Sequence, residues 1–321
     1  MAKAPIRHSD HVLSTVQSPQ AAALSSVAAS WCRSALRHGL DPAGQRSGAR
    51  LGAAETALLR EANAELLQVA TPTLDRLFSS VGPTGCCVLM SDLHGTVLET
   101  RSPDSEAALF NAVGLATGAS WSEAAEGTNG IGTCLVEARP VVIHRHEHFA
   151  SRNIGVSCMD APIFGPEGQL VAALDVSTAR ADHGEAMAGL IAALVQDAAR
   201  AIERDFFCRR YADARIVVAG EHPVQGGLML AVDRDDLVIG ATRAARQRFR
   251  LGSEPRVEPK PLGDVLGTGA AAGFDDGERA VLRQALARSG GNVAAAARLL
   301  GIGRATMYRR MERAGMVGKA H

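Results

Sequence analysis

Apolar and polar positions along the chain fall into three textures. Residues 1–20 have no period and read as a loose leader, whereas Ala21–Arg37 follows a helical spacing that Gly39–Pro42 (GLDP) brings to an end. A second helix is predicted over residues 53–78, with Leu59, Ala62, Leu66, Ala70, Leu74 and Leu77 at three- and four-residue steps. The pattern then shortens. Cys86–Met90 reads as an apolar strand, Ser91–Gly95 as a turn and Thr96–Glu99 as the returning strand. Pro140–Ile143 and Gln169–Val176 are two more β-rich runs, the latter after the turn Gly165–Gly168. A long helix over residues 182–210 follows, its predicted stripe being Met187, Leu190, Leu194, Ala198, Ala201 and, more weakly, Asp205/Phe206. Leu228–Ile239 reads as a hairpin around the turn DRDD, Thr242–Leu251 as a short helix, and Ser253–Gly273 as a Pro-, Gly- and Ala-rich linker. The last stretch is helical throughout.

Composition narrows this picture. At 321 residues the chain suits two or three domains, and 46% apolar residues suffice for a core. Net charge is zero, yet residues 276–321 hold nine basic side chains against three acidic ones, which leaves the preceding residues acidic by the same margin. A basic end on an acidic body suggests a nucleic-acid module joined to something else. Aromatic residues are only 4% of the chain, so stacking platforms for single strands are not expected. The six cysteines show no CxxC spacing, which argues against zinc ribbons and thioredoxin-like chemistry. With no apolar leader and no long apolar run, the expectation is a cytoplasmic chain with reduced thiols and no membrane partner.

The basic end carries the sharpest motif. Glu278–Ser289 is an amphipathic helix with Val281, Leu282, Ala285 and Leu286 facing inward, closed by Gly290–Gly291. Asn292 is a good N-cap for the helix Val293–Leu300, Gly301 supplies a tight turn, and a third helix, Arg304–Ala314, follows. That third helix offers Arg304, Thr306, Tyr308, Arg309, Arg310 and Arg313 as donors on an element that fits a major groove. The segment GNVAAAARLLGIGRATMYRRMERAG (residues 291–315) closely resembles the Fis-type helix-turn-helix that ends bacterial enhancer-binding activators. The resemblance implies that Arg304, Thr306, Tyr308, Arg309 and Arg310 face DNA. It also implies that Ala296, Leu300, Ile302 and Met311 pack the helix pair, and that the preceding helix helps to dimerise the module.

Residues 127–149 and 157–177 hold a glycine-rich loop, GTNGIG, that lacks the Lys-[Ser/Thr] of a phosphate loop. On Trp121, Glu123, Gly127–Gly130, Gly132–Leu135, Glu147–Phe149, Cys158, Ala161–Pro162, Gly168 and Leu174–Asp175 the chain resembles the GAF sensors of the acetoin/glycerol-metabolism activator family. SWCRSALRHGLDP (residues 30–42) matches that family's leader, and residues 228–251 are similar to its short PAS-like segment, with Thr242 where an asparagine is expected. The implied organisation is α+β: a helical leader (1–52), a GAF-like antiparallel sheet with flanking long helices (53–210), a PAS-like remnant or spacer (221–255), a linker (256–275) and an all-α Fis-type module (276–318). Activators of this family carry an AAA+ ATPase between sensor and helix-turn-helix. Here the linker is about 20 residues and no GxxxxGK[ST] occurs, so ATP-driven activation of sigma-54 polymerase is not expected.

Several readings stay open. His144, His146 and His148 alternate, so on a strand they would share one face as a metal or haem site that Cys158 could complete; otherwise they are a polar strand end. Cys158 is a pocket wall, a redox sensor activated by those histidines, or a buried thiol. Trp121, Thr128, Asn129, Phe149 and Cys158 are the candidate effector contacts, and Trp121 and Phe149 are equally plain core residues. The long helices form a dimer seam or cover the sheet. The function these observations favour is a one-component bacterial transcription regulator, not an enzyme and without a cofactor. Its expected partners are double-stranded DNA, a small-molecule effector, a second copy of the chain and RNA polymerase. The alternatives are an accessory partner of an ATPase-containing activator, or a GAF-fold thiol-dependent reductase using Cys134 and Cys158.

Overall fold

The structure is a computed structural model and describes residues 7–45, 49–220, 227–252, 254–267 and 274–316. Among these the chain divides into two compact units, with the break between Pro259 and Lys260. The first unit is built on a five-stranded antiparallel sheet in the order β2-β1-β5-β4-β3: β1 Cys86–Asp92, β2 Val97–Arg101, β3 Val141–Ile143, β4 Ser157–Phe164 and β5 Leu170–Thr178. The leader is more ordered than its sequence suggests. Helix α1 (His8–Val16) buries Val12 against Trp31 and Phe149. The predicted 21–37 helix breaks at Ser25, whose backbone is extended and whose Oγ accepts from Ala28 N to cap α2 (Ser26–Cys32), and a π-helical turn Arg33–Arg37 follows.

The predicted 53–78 helix is two helices, α3 (Ala53–Ala62) and α4 (Ala64–Val81), because Asn63 leaves helical geometry and its side chain donates to Leu59 O. Leu66, Ala70, Leu74 and Leu77 of the predicted stripe do lie on one sheet face, where they meet Val88, Met90, Met159, Ile163 and Leu174. The long helix α7 (Glu185–Arg210) covers the rest of that face. Its buried side chains are Ala188, Ile191, Val195, Ala198, Ala199, Ile202 and Phe207, about one residue round from the predicted stripe except at the shared Ala198. Met187, Leu190 and Leu194 point to solvent, with Leu190 66% exposed. Both stripes have helical spacing. The inner one wins because alanine and β-branched side chains let the helix sit close to β4.

On the other face of the sheet lie α5 (Ala107–Val113) and α6 (Gly130–Glu137), whose Phe110, Ile131 and Cys134 share a buried cluster with Cys87, Leu89 and Ala173. The glycine-rich segment is therefore a helix start rather than a loop over a phosphate: Asn129 Oδ1 accepts from Gly132 N at 2.8 Å and caps α6. The glycines permit contact. A Cβ on Gly130 would lie 2.0 Å from Asp160 Oδ2 and 2.5 Å from Cys158 Cβ, and Gly127, at φ +70, has the Phe149 ring against it. Strand β4 has no clear sequence signature because all but Phe164 are buried and Asp160 and Pro162 interrupt the apolar run. Pro162 lies past the end of β3, where β4 is an edge and a proline is tolerated.

The hairpin expected at 228–239 forms from β7 (Met229–Val232) and β8 (Leu237–Ala241), joined by β6 (Arg215–Val218) on the other side of β7. Asp233 Oδ1 accepts from Asp235 N and Leu237 N and so shapes the DRDD turn. Thr242 Oγ1 donates to Gly227 O at 2.9 Å and accepts from Met229 N ahead of α8 (Arg243–Phe249). Met229 and Ala231 pack on Phe207 near the end of α7. Part of the expected 221–255 segment (221–226 and 253) and part of the expected linker (268–273) lie outside the described residues.

Candidate effector pocket and DNA-reading helix

In the second unit, α9 (Phe274–Arg288), α10 (Val293–Leu299) and α11 (Arg304–Arg313) surround a core of Leu282, Ala285, Ala296, Ala297, Met307 and Met311. Asn292 Oδ1 accepts from Ala295 N at 3.1 Å, the N-cap the sequence predicts. Gly301, at φ +66, turns the chain between α10 and α11, and Ile302 N donates to Ala297 O across that turn. Leu300 and Ile302 pack half-buried against the core, but Val281, expected to face inward, is 51% exposed.

The six candidate DNA contacts of α11 differ in state. Arg304, Tyr308 and Arg309 are exposed; Arg304 lies over the Tyr308 ring at 5.8 Å, and Arg309 Nη2 donates to the half-buried Thr306 Oγ1 at 3.5 Å. Arg304 and Arg309 make no ion pair among the described residues. Arg310 and Arg313 instead reach back to Glu278 of α9, at 3.3 and 3.1 Å. These exposed pairs are individually weak, so both arginines can exchange Glu278 for a phosphate at little cost.

In the first unit, the candidate effector residues are buried and engaged with other protein groups. Trp121 Nε1 donates to Gly114 O at 2.8 Å. Thr128 Oγ1 lies 2.7 Å from Ser30 Oγ, which also donates to Glu123 Oε2, while Arg33 Nε holds Glu123 Oε1 at 2.7 Å. Phe149 packs with Val12 and Trp31, and Trp31 Nε1 donates to Glu147 O. The leader motif and the glycine segment thus bind each other through these side chains.

The three histidines do not share a face. Residues 145–147 form a 3-10 turn, which leaves His146 exposed and His148 fully buried. Among the described residues no group of three or more His, Cys, Asp or Glu is placed to hold a metal ion. His148 Nδ1 donates to Arg145 O at 3.1 Å, so Nε2 is left as acceptor 3.4 Å from Cys158 Sγ. Burial drives His148 down to about 4, so the ring is neutral and supplies no positive charge to stabilise a thiolate. Burial also raises Cys158, and Cys134 as well, far above the usual thiol value. The shared strand face expected for His144, His146 and His148 is thus corrected by the turn at 145–147, and burial favours the protonated form of the Cys158 thiol.

Below Cys158 the polar groups continue. Ser177 Oγ lies 3.1 Å from Cys158 Sγ and 2.7 Å from Asp175 Oδ2, and Asp175 pairs across the strands with Asp160. Burial raises Asp175 to about 7 and Asp160 well above the carboxylate range. Ser177 Oγ donates to Asp175 Oδ2, the Cys158 thiol lies between Ser177 Oγ and His148 Nε2, and His148 Nδ1 donates to the Arg145 carbonyl. Sequence reading singled out Cys158 and His148 but not this chain, because Asp160 belongs to the unrecognised strand β4.

Among the cavities of this unit, one of about 220 Å³ is lined by Arg50, Thr100, Phe110, Asn111 and Leu115, and two others adjoin β4. One of about 410 Å³ is lined by Phe164, Glu203, Met229, Thr242 and Arg243. Arg243 stacks 3.9 Å over the Phe164 ring, and burial raises the Glu203 carboxyl to about 7. The second, about 170 Å³, lies at the β3 edge and is lined by Ser26, Thr133, Arg139, Asp160 and Gln196 among others. Trp121, Thr128, Asn129, Phe149 and Cys158 line neither.

Comparison with known proteins matches these two architectures to families. Residues 65–202 match the GAF domain model, and residues 274–313 match the model described as bacterial regulatory protein, Fis family. The chain carries a GAF domain and a Fis-type helix-turn-helix. It is 30% identical over 251 residues to the acetoin catabolism regulatory protein of Cupriavidus necator, which covers 77% of this chain and 37% of that protein. It is 32% identical over 136 residues to AcoR of Bacillus subtilis, the acetoin dehydrogenase operon transcriptional activator, covering 42% and 22%. With the propane 2-monooxygenase operon transcriptional activator MimR of Mycolicibacterium smegmatis it shares 30% identity over 128 residues, covering 40% and 22%. The chain thus spans well under half the length of these relatives. A chain of the E. coli DhaR(N)–DhaL complex shares the fold at 14% identity and a TM-score of 0.52, covering 74% of this chain and 80% of that one. No helix among the described residues is long and apolar enough to cross a membrane.

Proposed function

We propose that this chain is a one-component transcription regulator whose GAF domain senses a small organic effector and whose Fis-type module binds operator DNA as a dimer. The observation that carries this reading is the union in one chain of a GAF domain with a helix-turn-helix whose third helix leaves Arg304, Tyr308 and Arg309 exposed, the two arginines without an ion pair among the described residues. The named relatives govern operons for small organic compounds, which supports an effector of that kind. The outward stripe Met187, Leu190 and Leu194 on α7 supports dimerisation, since three large apolar side chains at helical spacing are left uncovered. Exposed Val281 on α9 supports a second contact between copies.

Residues 211–273, between the long helix and the helix-turn-helix module, include β6–β8 and α8 and hold no GxxxxGK[ST]. On this reading the regulator does not hydrolyse ATP and acts on RNA polymerase by position and contact. An effector that favours one arrangement of the dimer by about 1–3 kcal/mol shifts operator occupancy roughly 5–150-fold. Gel-shift titration of the full chain against the DNA upstream of its own gene, with excess nonspecific competitor, tests the proposal. A competitor-resistant shift that Arg309→Ala abolishes supports it. A shift that competitor removes contradicts it and favours an accessory partner of a longer activator.

A further inference from the structure

The 410 Å³ cavity holds none of the candidate effector residues, and its size falls within the roughly 300–1,000 Å³ range of small-molecule sites. One wall comes from β4 and α7, the other from β7 and α8, which follow them in the chain; both walls belong to the first compact unit. Charge along these walls is unbalanced. Arg139, Arg200, Arg204 and Arg243 face Glu203, the one acidic residue among the described lining residues. Glu203 Oε1 accepts from Phe164 N at 2.8 Å, and burial raises its carboxyl to about 7, which weakens its negative charge near neutrality.

The arginines are available to a ligand. Arg200 pairs with Asp197 at 3.2 Å, Arg204 with Asp205 at 3.1 Å and Arg139 with Glu137, but none of these acids lines the cavity. Pairs of this partly exposed kind are individually weak and exchange readily. Arg243 lies 3.9 Å over the Phe164 ring and makes no ion pair or hydrogen bond among the described residues, so its N–H donors are open. Pro162, Phe207 and Met229 give the walls apolar sides. An organic cation would face four guanidiniums, and an uncharged compound would leave them uncompensated. An inorganic anion would leave the apolar sides bare. A molecule with an anionic head and an apolar body meets both, and guanidinium matches the paired oxygens of carboxylate and phosphate.

We propose that this cavity is a ligand site in its own right, that it takes a small organic anion with an apolar body, either a carboxylate or a phosphate ester, and that Arg200 and Arg243 hold the anionic head from opposite walls. The inference goes beyond the regulator reading and stands without it, because it concerns binding alone. An occupant would tie α8 to α7 and β4, on the path of the chain toward the helix-turn-helix module.

Calorimetric titration of the full chain with benzoate, hexanoate and phenyl phosphate tests it. Benzamide serves as the uncharged counterpart of benzoate, and sulfate as an anion with no apolar body. At least one of the three organic anions is expected to saturate the chain, with benzamide and sulfate about tenfold weaker or more; the tighter of benzoate and phenyl phosphate identifies the head group. Arg243→Gln and Arg200→Gln are each expected to weaken that anion about fivefold or more. Arg243 is exposed and Arg200 half-buried, so both variants are expected to fold. Arg209→Gln removes a charge from an exposed position of α7 outside the cavity and is expected to leave binding unchanged. Equal binding of benzamide or sulfate, or no saturation by any of the three organic anions, overturns the proposal. So does unaltered binding in Arg243→Gln and Arg200→Gln, or an equal loss in Arg209→Gln.

Discussion

Raising the pH should destabilise the GAF unit, because its core holds protonated carboxyls that the unfolded chain would ionise. Asp175 moves from an ordinary 3.8 to about 7, and Glu203 from 4.5 to about 7, both chiefly through burial. A raised carboxyl contributes stability that is complete below its unfolded value and is lost as pH rises through its folded value. At about 1.4 kcal/mol per pH unit, Asp175 and Glu203 should each give up about 2 kcal/mol between roughly pH 5.5 and 8. His148 works in the other direction: lowered from 6.5 to about 4, it loses stability as pH falls below 6.5. Over the same interval it should return about 1.4 kcal/mol. The net loss is about 2–3 kcal/mol before Asp160, which is raised as well, is counted. For a unit of this size that corresponds to a fall in Tm of roughly 5–10 °C. Scanning calorimetry of the full chain in buffers across that interval measures it. Asp175→Asn should remove about 2 kcal/mol of the dependence. A Tm that stays level or rises from pH 5.5 to 8, or an unchanged slope in the variant, would refute the burial of protonated carboxyls at Asp160 and Asp175.

Other expectations follow from single positions. Leu74→Ala should cost about 2–5 kcal/mol in urea unfolding, since Leu74 is fully buried between α4 and the sheet. Asn292→Ala should cost about 1 kcal/mol in the second unit by uncapping α10, read as a lower midpoint for that unit's transition. Arg309→Ala should weaken operator binding by about 1–3 kcal/mol if Arg309 reads a base, whereas a loss confined to the salt slope would assign it to phosphate. Leu190→Glu should shift sedimentation equilibrium toward monomer while leaving the fold intact, because Leu190 faces solvent on α7.

The helix-turn-helix was legible in the sequence because its signals are local. Asn292 caps, Gly301 turns, and alanines recur at helical spacing, each within a few residues of its partner. The faces of α7 were not, since two stripes of equal period compete and only the position of β4 selects Ile191 and Val195 over Leu190 and Leu194. Strand β4 was hidden because burial on both faces removes the alternation that marks a half-exposed strand, and Asp160 and Pro162 break what remains. With β4 went Asp160 and its pairing to Asp175. The alternation of His144, His146 and His148 suggested a common face, which the turn at 145–147 removes.

DNase I footprinting of the DNA upstream of this gene by the full chain, with competitor DNA present, tests the central claim most directly. The account predicts a bounded, near-palindromic protected site with half-sites about one helical turn apart, lost in Arg309→Ala. Uniform or competitor-sensitive protection would contradict it.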